Sequence, residues 1–136
     1  MVKQIFVNLP VKDLQKSIDF FTKLGFTFNP KFTDENATCM VIGENIFAML
    51  LVEKFFKSFI TKDVCDTSKS TEALFALAMG SKEEVDVLVD RALEAGGKSY
   101  RRSDDYGWMY TRVFADLDGH CWEIFYMDES KMPRNG

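Results

Sequence analysis

The stretch Asp116-Leu117-Asp118-Gly119-His120-Cys121-Trp122-Glu123-Ile124-Phe125-Tyr126-Met127 decides how the rest of the chain is read. Asp118-Gly119 is a strong hairpin-type signal, because glycine takes the positive φ of a tight turn without steric cost. The turn joins two apolar runs, Trp108–Phe114 and Cys121–Met127, both rich in the aromatic and β-branched residues that fit a pleated sheet. Alternation along the second run puts Cys121, Glu123, Phe125 and Met127 on one face and Trp122, Ile124 and Tyr126 on the other. Glu123 is then a carboxylate between a cysteine and a phenylalanine. Such a group is costly when buried and unpaired. The position therefore predicts a cavity, general-base work, a partner cation such as Arg112 across the hairpin, or plain solvent exposure.

Upstream of the hairpin the order is strand, helix, strand. Ala73–Met79 reads as an apolar strand. Ser81 with Glu84 forms a capping-box pattern that opens a helix with Val85, Leu88, Ala92 and Ala95 on its apolar face, and Gly96-Gly97 stops it. Lys98–Arg101 reads as a further strand. The first half repeats this order. Gln4–Leu9 alternates as a strand that Pro10 ends. Asp13 can cap a helix carrying Leu14, Ile18, Phe21 and Leu24 at helical spacing, and Gly25 follows as its C-terminal residue. Apolar runs Phe26–Phe32, Ala37–Ile42 and Ile46–Val52 come next, separated by turn residues. The prediction is an α+β fold: one domain of two βαβββ modules, residues 2–52 and 71–128, whose mixed sheets curl around a cavity. Residues 53–70 lie between the modules and carry Phe55, Phe56 and Phe59, which suits a linker helix packed on the core or a lid over the cavity.

Composition narrows the function classes. The chain has 136 residues, 46% apolar and 28% charged, as expected of a globular domain able to bury its own core. A net charge of −4 argues against nucleic acid, which needs clustered excess Lys and Arg. Arg101-Arg102 and scattered lysines read as a solvated surface. Three cysteines, Cys39, Cys65 and Cys121, without a C-x-x-C pair predict reduced thiols in the cytoplasm. No apolar run suits a signal peptide or a membrane span.

Elimination then works on chemistry. The one histidine, His120, would have to serve any Ser-His or Cys-His arrangement, yet it sits inside a tight turn, where structural duty is expected. A site built on two histidines and a carboxylate cannot form within one chain. Trp108, Tyr110 and Arg112 alternate onto one strand face. Aromatics beside a cation suit a pocket for a planar or anionic ligand, and core packing is the plainer role for the two rings.

With these residues in view, the chain resembles the glyoxalase/bleomycin-resistance/extradiol dioxygenase (vicinal oxygen chelate) superfamily. Ile5–Leu14, with Ser17, Phe20-Phe21 and Leu24-Gly25-Phe26, is similar to the family's opening strand and helix. Asp116–Glu123 is similar to its closing hairpin, D-P-D-G-x-x-x-E, with Leu117 in place of proline. The resemblance implies paired modules around a cavity, which in the metalloenzymes of the family holds one divalent ion. Carried over position by position, Glu123 matches the fourth ligand, while the first falls at Phe6, the second at Ala48 or Met49 and the third near Leu74. Three of four positions are apolar, so no metal ligand set and no cofactor are expected, because tight transition-metal sites need three or four protein donors.

The leading expectation is a small-molecule binding protein, similar to lactoylglutathione-lyase-like relatives without assigned substrate, with Phe6, Asn8, Trp108, Tyr110, Arg112 and Glu123 on the walls. The alternatives are a metal-dependent lyase or dioxygenase using Glu123, and a scaffold whose 13 phenylalanines fill the cavity. Exposed sheet edges favour a homodimer.

Overall fold

A computed structural model describes residues 1–133 and divides the chain into two compact units, with the division between Asp66 and Thr67. In the first unit, β1 (Ile5–Val11) leads into α1 (Leu14–Leu24), then β2 (Thr27–Asn29), β3 (Ala37–Gly43), β4 (Ile46–Val52) and a short α2 (Glu53–Lys57). The sheet order is β1-β4-β3-β2, with β1 parallel to β4 and the other pairs antiparallel. In the second, β5 (Leu74–Ala78) leads into α3 (Lys82–Glu94), then β6 (Asp104–Asp105), β7 (Met109–Ala115) and β8 (Cys121–Met127), in the order β5-β8-β7-β6. Both units are βαβββ, each with an open mixed sheet.

The helix boundaries follow from the caps. The Asp13 carboxylate accepts from the Lys16 amide at 3.0 Å, and Gly25 closes α1 at φ 106°, a conformation costly for any residue with a Cβ. Ser81 Oγ accepts from the Glu84 amide at 3.1 Å. The Glu84 carboxylate reaches back to the Gly80 amide at 2.7 Å, one residue earlier than a capping box places it. The face of α1 that is buried is Ser17, Phe20, Phe21 and Leu24. The i, i+3, i+4, i+7 spacing holds, but it is centred on Phe20 rather than on Leu14 and Ile18. In the second unit Val85, Leu88, Val89 and Ala92 of α3 pack towards β7 and β8, where Phe114, Trp122 and Ile124 are buried. Burying side chains of this size contributes about 1.5–3 kcal/mol each.

Three expectations are corrected. Pro10 does not end the first strand: β1 runs to Val11, with Pro10 in register with Leu51. An edge strand tolerates proline because the missing N–H can face away from its neighbour. Phe26–Phe32 is not one strand, since Asn29 caps a 3-10 turn over Pro30–Phe32 through the Lys31 amide. Lys98–Arg101 is not a strand either. Lys98 makes an isolated bridge to Ala115, and pairing resumes only at Asp104–Asp105. Residues 53–70 hold α2, which packs against β1 and β4, and Phe55 meets Phe59 edge-on at 5.0 Å.

Candidate functional site

Strand pairing decides which side chains can act together in the second unit. Glu123 lies between Val113 of β7 and Ala76 of β5, all on the sheet face turned away from α3. Its neighbours on β8 are Cys121 and Phe125, and Leu74 on β5 adds an exposed apolar side chain to the same face. The Glu123 side chain is 24% exposed, and a guanidinium covers it: Arg101 Nη2 donates to Oε1 at 3.4 Å. Arg101 Nη1 also donates to Asp104 Oδ2 and to the Arg102 carbonyl, each at 2.9 Å. Two carboxylates thus share one cation, and the formal sum of the three groups is −1.

Tyr100 is drawn into the same cluster. Burial, then the charges of Cys121 and Glu123, push its phenol up to about 12, against the pull of Arg101. Burial also pushes the Cys121 thiol up, with a hydrogen bond from Thr71 opposing, so this sulfur is a thiol at neutral pH and a poor nucleophile.

Tyr110 and Arg112 do not share the Glu123 face. Arg112 pairs with Ile124 and Tyr110 with Tyr126, so both point to the α3 side of the sheet. Arg112 Nη1 donates to Asp86 at 3.0 Å and to Asp90 at 2.9 Å, and the Tyr110 hydroxyl donates to Asp86 at 2.6 Å. These contacts hold the Asp86 carboxyl below its ordinary range, Tyr110 first and Arg112 second. Burial and the Asp86 charge push Tyr110 up to about 12. Lys82 lies 5.6 Å over the Tyr110 ring, which completes a helix-to-sheet clamp rather than a pocket. The arginine on Glu123 is therefore Arg101 and not Arg112, because cross-strand neighbours in antiparallel register share a face and Arg112 is one residue out of phase. Trp108 stands just before β7, where its carbonyl accepts from the Asp128 amide at 2.7 Å.

Phe6 and Asn8 belong to the first unit. Phe6 is 43% exposed and stacks on Phe47 at 4.7 Å, and Asn8 Nδ2 donates to the Phe6 carbonyl at 3.2 Å. Both side chains project from the face of β1 opposite to Leu9 and Val11, which are buried.

The turn that opens the hairpin is built around Asp116. Its Oδ1 accepts from the amides of Asp118 (2.9 Å) and His120 (3.0 Å), and its Oδ2 accepts from Trp122 Nε1 (3.0 Å). Burial pushes this carboxyl above its usual range, while His120 and the three N–H donors pull the other way. His120 is buried, with Nδ1 2.8 Å from Glu72 Oε1. Thr67 Oγ1 donates to the Asp118 carbonyl at 2.5 Å. The histidine holds the segment entering the second unit against the turn, a structural duty. Gly119, at φ 81°, has no room for a Cβ, which would meet Thr67 Oγ1 at 2.6 Å.

The donor set does not fit a divalent ion. Phe6, Ala48, Met49 and Leu74 offer no ligand atoms, and Glu123 is engaged by a guanidinium. Among the described residues no three His, Cys, Asp or Glu side chains are grouped so that they could hold a metal. The residue that the sequence reading missed is Arg101, which lies in a loop 22 positions before Glu123, beyond any local periodicity.

Residues 3–43 match the family model described as Bleomycin resistance protein-like N-terminal. No protein of curated function matches the chain. Among solved structures, a hypothetical protein from S. aureus is 29% identical with a TM-score of 0.78, covering 93% of this chain and 94% of its own. A glyoxalase-related enzyme from Fulvimarina pelagi is 22% identical with a TM-score of 0.75, covering 92% of this chain and 88% of its own. A glyoxalase/bleomycin resistance protein/dioxygenase family enzyme from Burkholderia phytofirmans PsJN is 17% identical with a TM-score of 0.73, covering 90% and 96%.

Proposed function

We propose that this chain, whose fold and opening segment are similar to those of glyoxalase/bleomycin resistance/dioxygenase proteins, binds a small molecule on the Glu123 face of the second sheet, without a tightly held metal. The observation that carries this reading is a partly buried carboxylate, 24% exposed, set among apolar side chains with a cation and a phenol beside it. Few polar groups on an apolar surface are what ligand sites use to fix orientation. Sequestration needs no metal and no catalytic base. Catalysis by Glu123 is the weaker reading, because the Arg101 guanidinium stands over the carboxylate where a substrate proton would have to approach. Tyr110 and Arg112 take no part on this face, because both point to the α3 side of the sheet.

The same reading includes a homodimer in the cytoplasm, without nucleic-acid or membrane partners. Among the described residues the outer strands β1 and β5 pair on one side only, and Ile5, Phe6 and Leu74 on them are exposed. Such edges invite a second copy. No helix of the described residues is long and apolar enough to cross a membrane, and the three cysteines form no disulfide with one another.

A thermal-shift screen of a small-molecule library tests the reading. Wild type should be stabilised by some members, and Glu123→Gln should lose that response while melting near the wild-type temperature. Retention of about one Ni, Zn, Mn or Fe ion per chain after loading and dialysis would instead restore a metal-dependent lyase or dioxygenase.

A further inference from the structure

The loop that delivers Arg101 to Glu123 is fixed at both ends and irregular between them. Lys98 bridges to Ala115 through paired backbone hydrogen bonds of 3.0 and 2.6 Å, and Asp104 pairs with Thr111. Residues 99–103 between these anchors have no regular secondary structure. Arg101 makes three contacts here. Those to Asp104 and to the Arg102 carbonyl, both 2.9 Å, lie within its own segment, whereas the contact to Glu123 is the long one at 3.4 Å. Releasing Glu123 therefore leaves the arginine its two shorter hydrogen bonds. Ion pairs this exposed contribute little, so the contact is cheap to exchange.

Charge decides what can take the vacated place. With Asp104 and Glu123 sharing one guanidinium, the cluster carries a formal −1, which opposes an incoming anion and favours a cation. Arg112, on the neighbouring strand β7, is committed to Asp86 and Asp90 on the opposite face and does not offset that charge. A carboxylate already accepting from a guanidinium is matched best by a second planar, forked donor. Leu74 and Phe125 on the same face offer apolar contact for the stem behind such a group.

We propose that Arg101 is a built-in occupant of the Glu123 site, strapped there by residues 99–103, and that the ligand bears a planar amidinium or guanidinium which replaces Arg101 at Glu123. The inference rests on the binding reading above and goes further in naming the ligand's chemistry and its internal competitor.

Benzamidine, titrated against the full chain and followed by amide chemical-shift changes, is the probe, with benzoate as the anionic counterpart. Wild type should bind benzamidine on the Glu123 face and ignore benzoate. Arg101→Ala should bind benzamidine about two- to fivefold tighter, the fold-change of freeing an exposed ion pair. Glu123→Gln should lose binding in either background. Arg101→Gln, which keeps the stem and removes the charge, should repeat the gain if the alanine variant is poorly folded. Equal or weaker benzamidine binding by both Arg101 variants would overturn the strap, as would benzoate binding that depends on Arg101. Should other small molecules perturb the Glu123 face while benzamidine does not, the inference fails and the binding reading stands. If nothing perturbs that face, both fail.

Discussion

Asp116→Asn is the substitution whose effect the structure defines most sharply. Asp116 is 8% exposed and its two oxygens satisfy three donors: the amides of Asp118 and His120 on one, and Trp122 Nε1 on the other. Asparagine in the same rotamer keeps an oxygen for the two amides but turns an NH2 towards the indole N–H. One buried donor is then orphaned, at a cost of about 1–3 kcal/mol, and two charge-assisted bonds become neutral ones. Removing a desolvated charge offsets part of this, so the net loss is about 2 kcal/mol. Asp116→Ala abandons all three donors and should lose about 4 kcal/mol by the same reckoning. In melting temperature the asparagine variant should fall by about 6–10 °C. Urea denaturation followed by tryptophan fluorescence and by far-ultraviolet circular dichroism measures this. Both tryptophans, Trp108 and Trp122, lie in the second unit, so fluorescence reports on that unit while circular dichroism reports on the whole chain. An asparagine variant within about 0.5 kcal/mol of wild type, or less stable than the alanine variant, would refute the assignment of Asp116 as the turn's acceptor.

Two further outcomes follow from the side-chain environments. Absorbance titration near 295 nm should show two of the four tyrosines, Tyr100 and Tyr110, ionising at about 12 rather than at the ordinary value of about 10. Because both folded values are raised, the stability they contribute is complete below pH of about 10 and is lost as the pH rises towards 12, so Tyr110→Phe should flatten that part of the stability curve. Arg112→Ala should cost about 1 kcal/mol, a small figure because Asp86 and Asp90 are largely exposed, and should leave ligand binding on the Glu123 face unchanged. A large loss of affinity in that variant would return Arg112 to the site.

The extent to which the sequence could be read depends on the range of each interaction. The α1 and α3 caps at Asp13, Gly25 and Ser81 are decided within four residues, and local steric and hydrogen-bonding rules suffice for them. The same holds for β8, where alternation over Cys121–Met127 places Glu123 on its face correctly. Pro10 reads locally as a strand terminator, whereas its tolerance depends on β1 lying at a sheet edge, a fact of topology that the strand itself does not carry. Lys98–Arg101 misled for a related reason: Ser99, Tyr100 and Arg101 leave the sheet after one bridge so that the arginine can reach Glu123 and Asp104. Nothing within either strand separates Arg112 from Glu123, and only the register between β7 and β8 reveals that they face opposite ways. Sites of this kind are assembled from loops and pairings whose partners are far apart in the chain, whereas folds announce themselves in periodicity.

Amide chemical-shift mapping with small-molecule mixtures tests most directly whether ligands seat on the Glu123 face of the second sheet. The expected result is a contiguous set of perturbed amides at Ala76, Thr111, Val113, Glu123 and Phe125, diminished in Glu123→Gln. Perturbations centred on Asp86, Tyr110 and Arg112 instead, or none on either face, would contradict it.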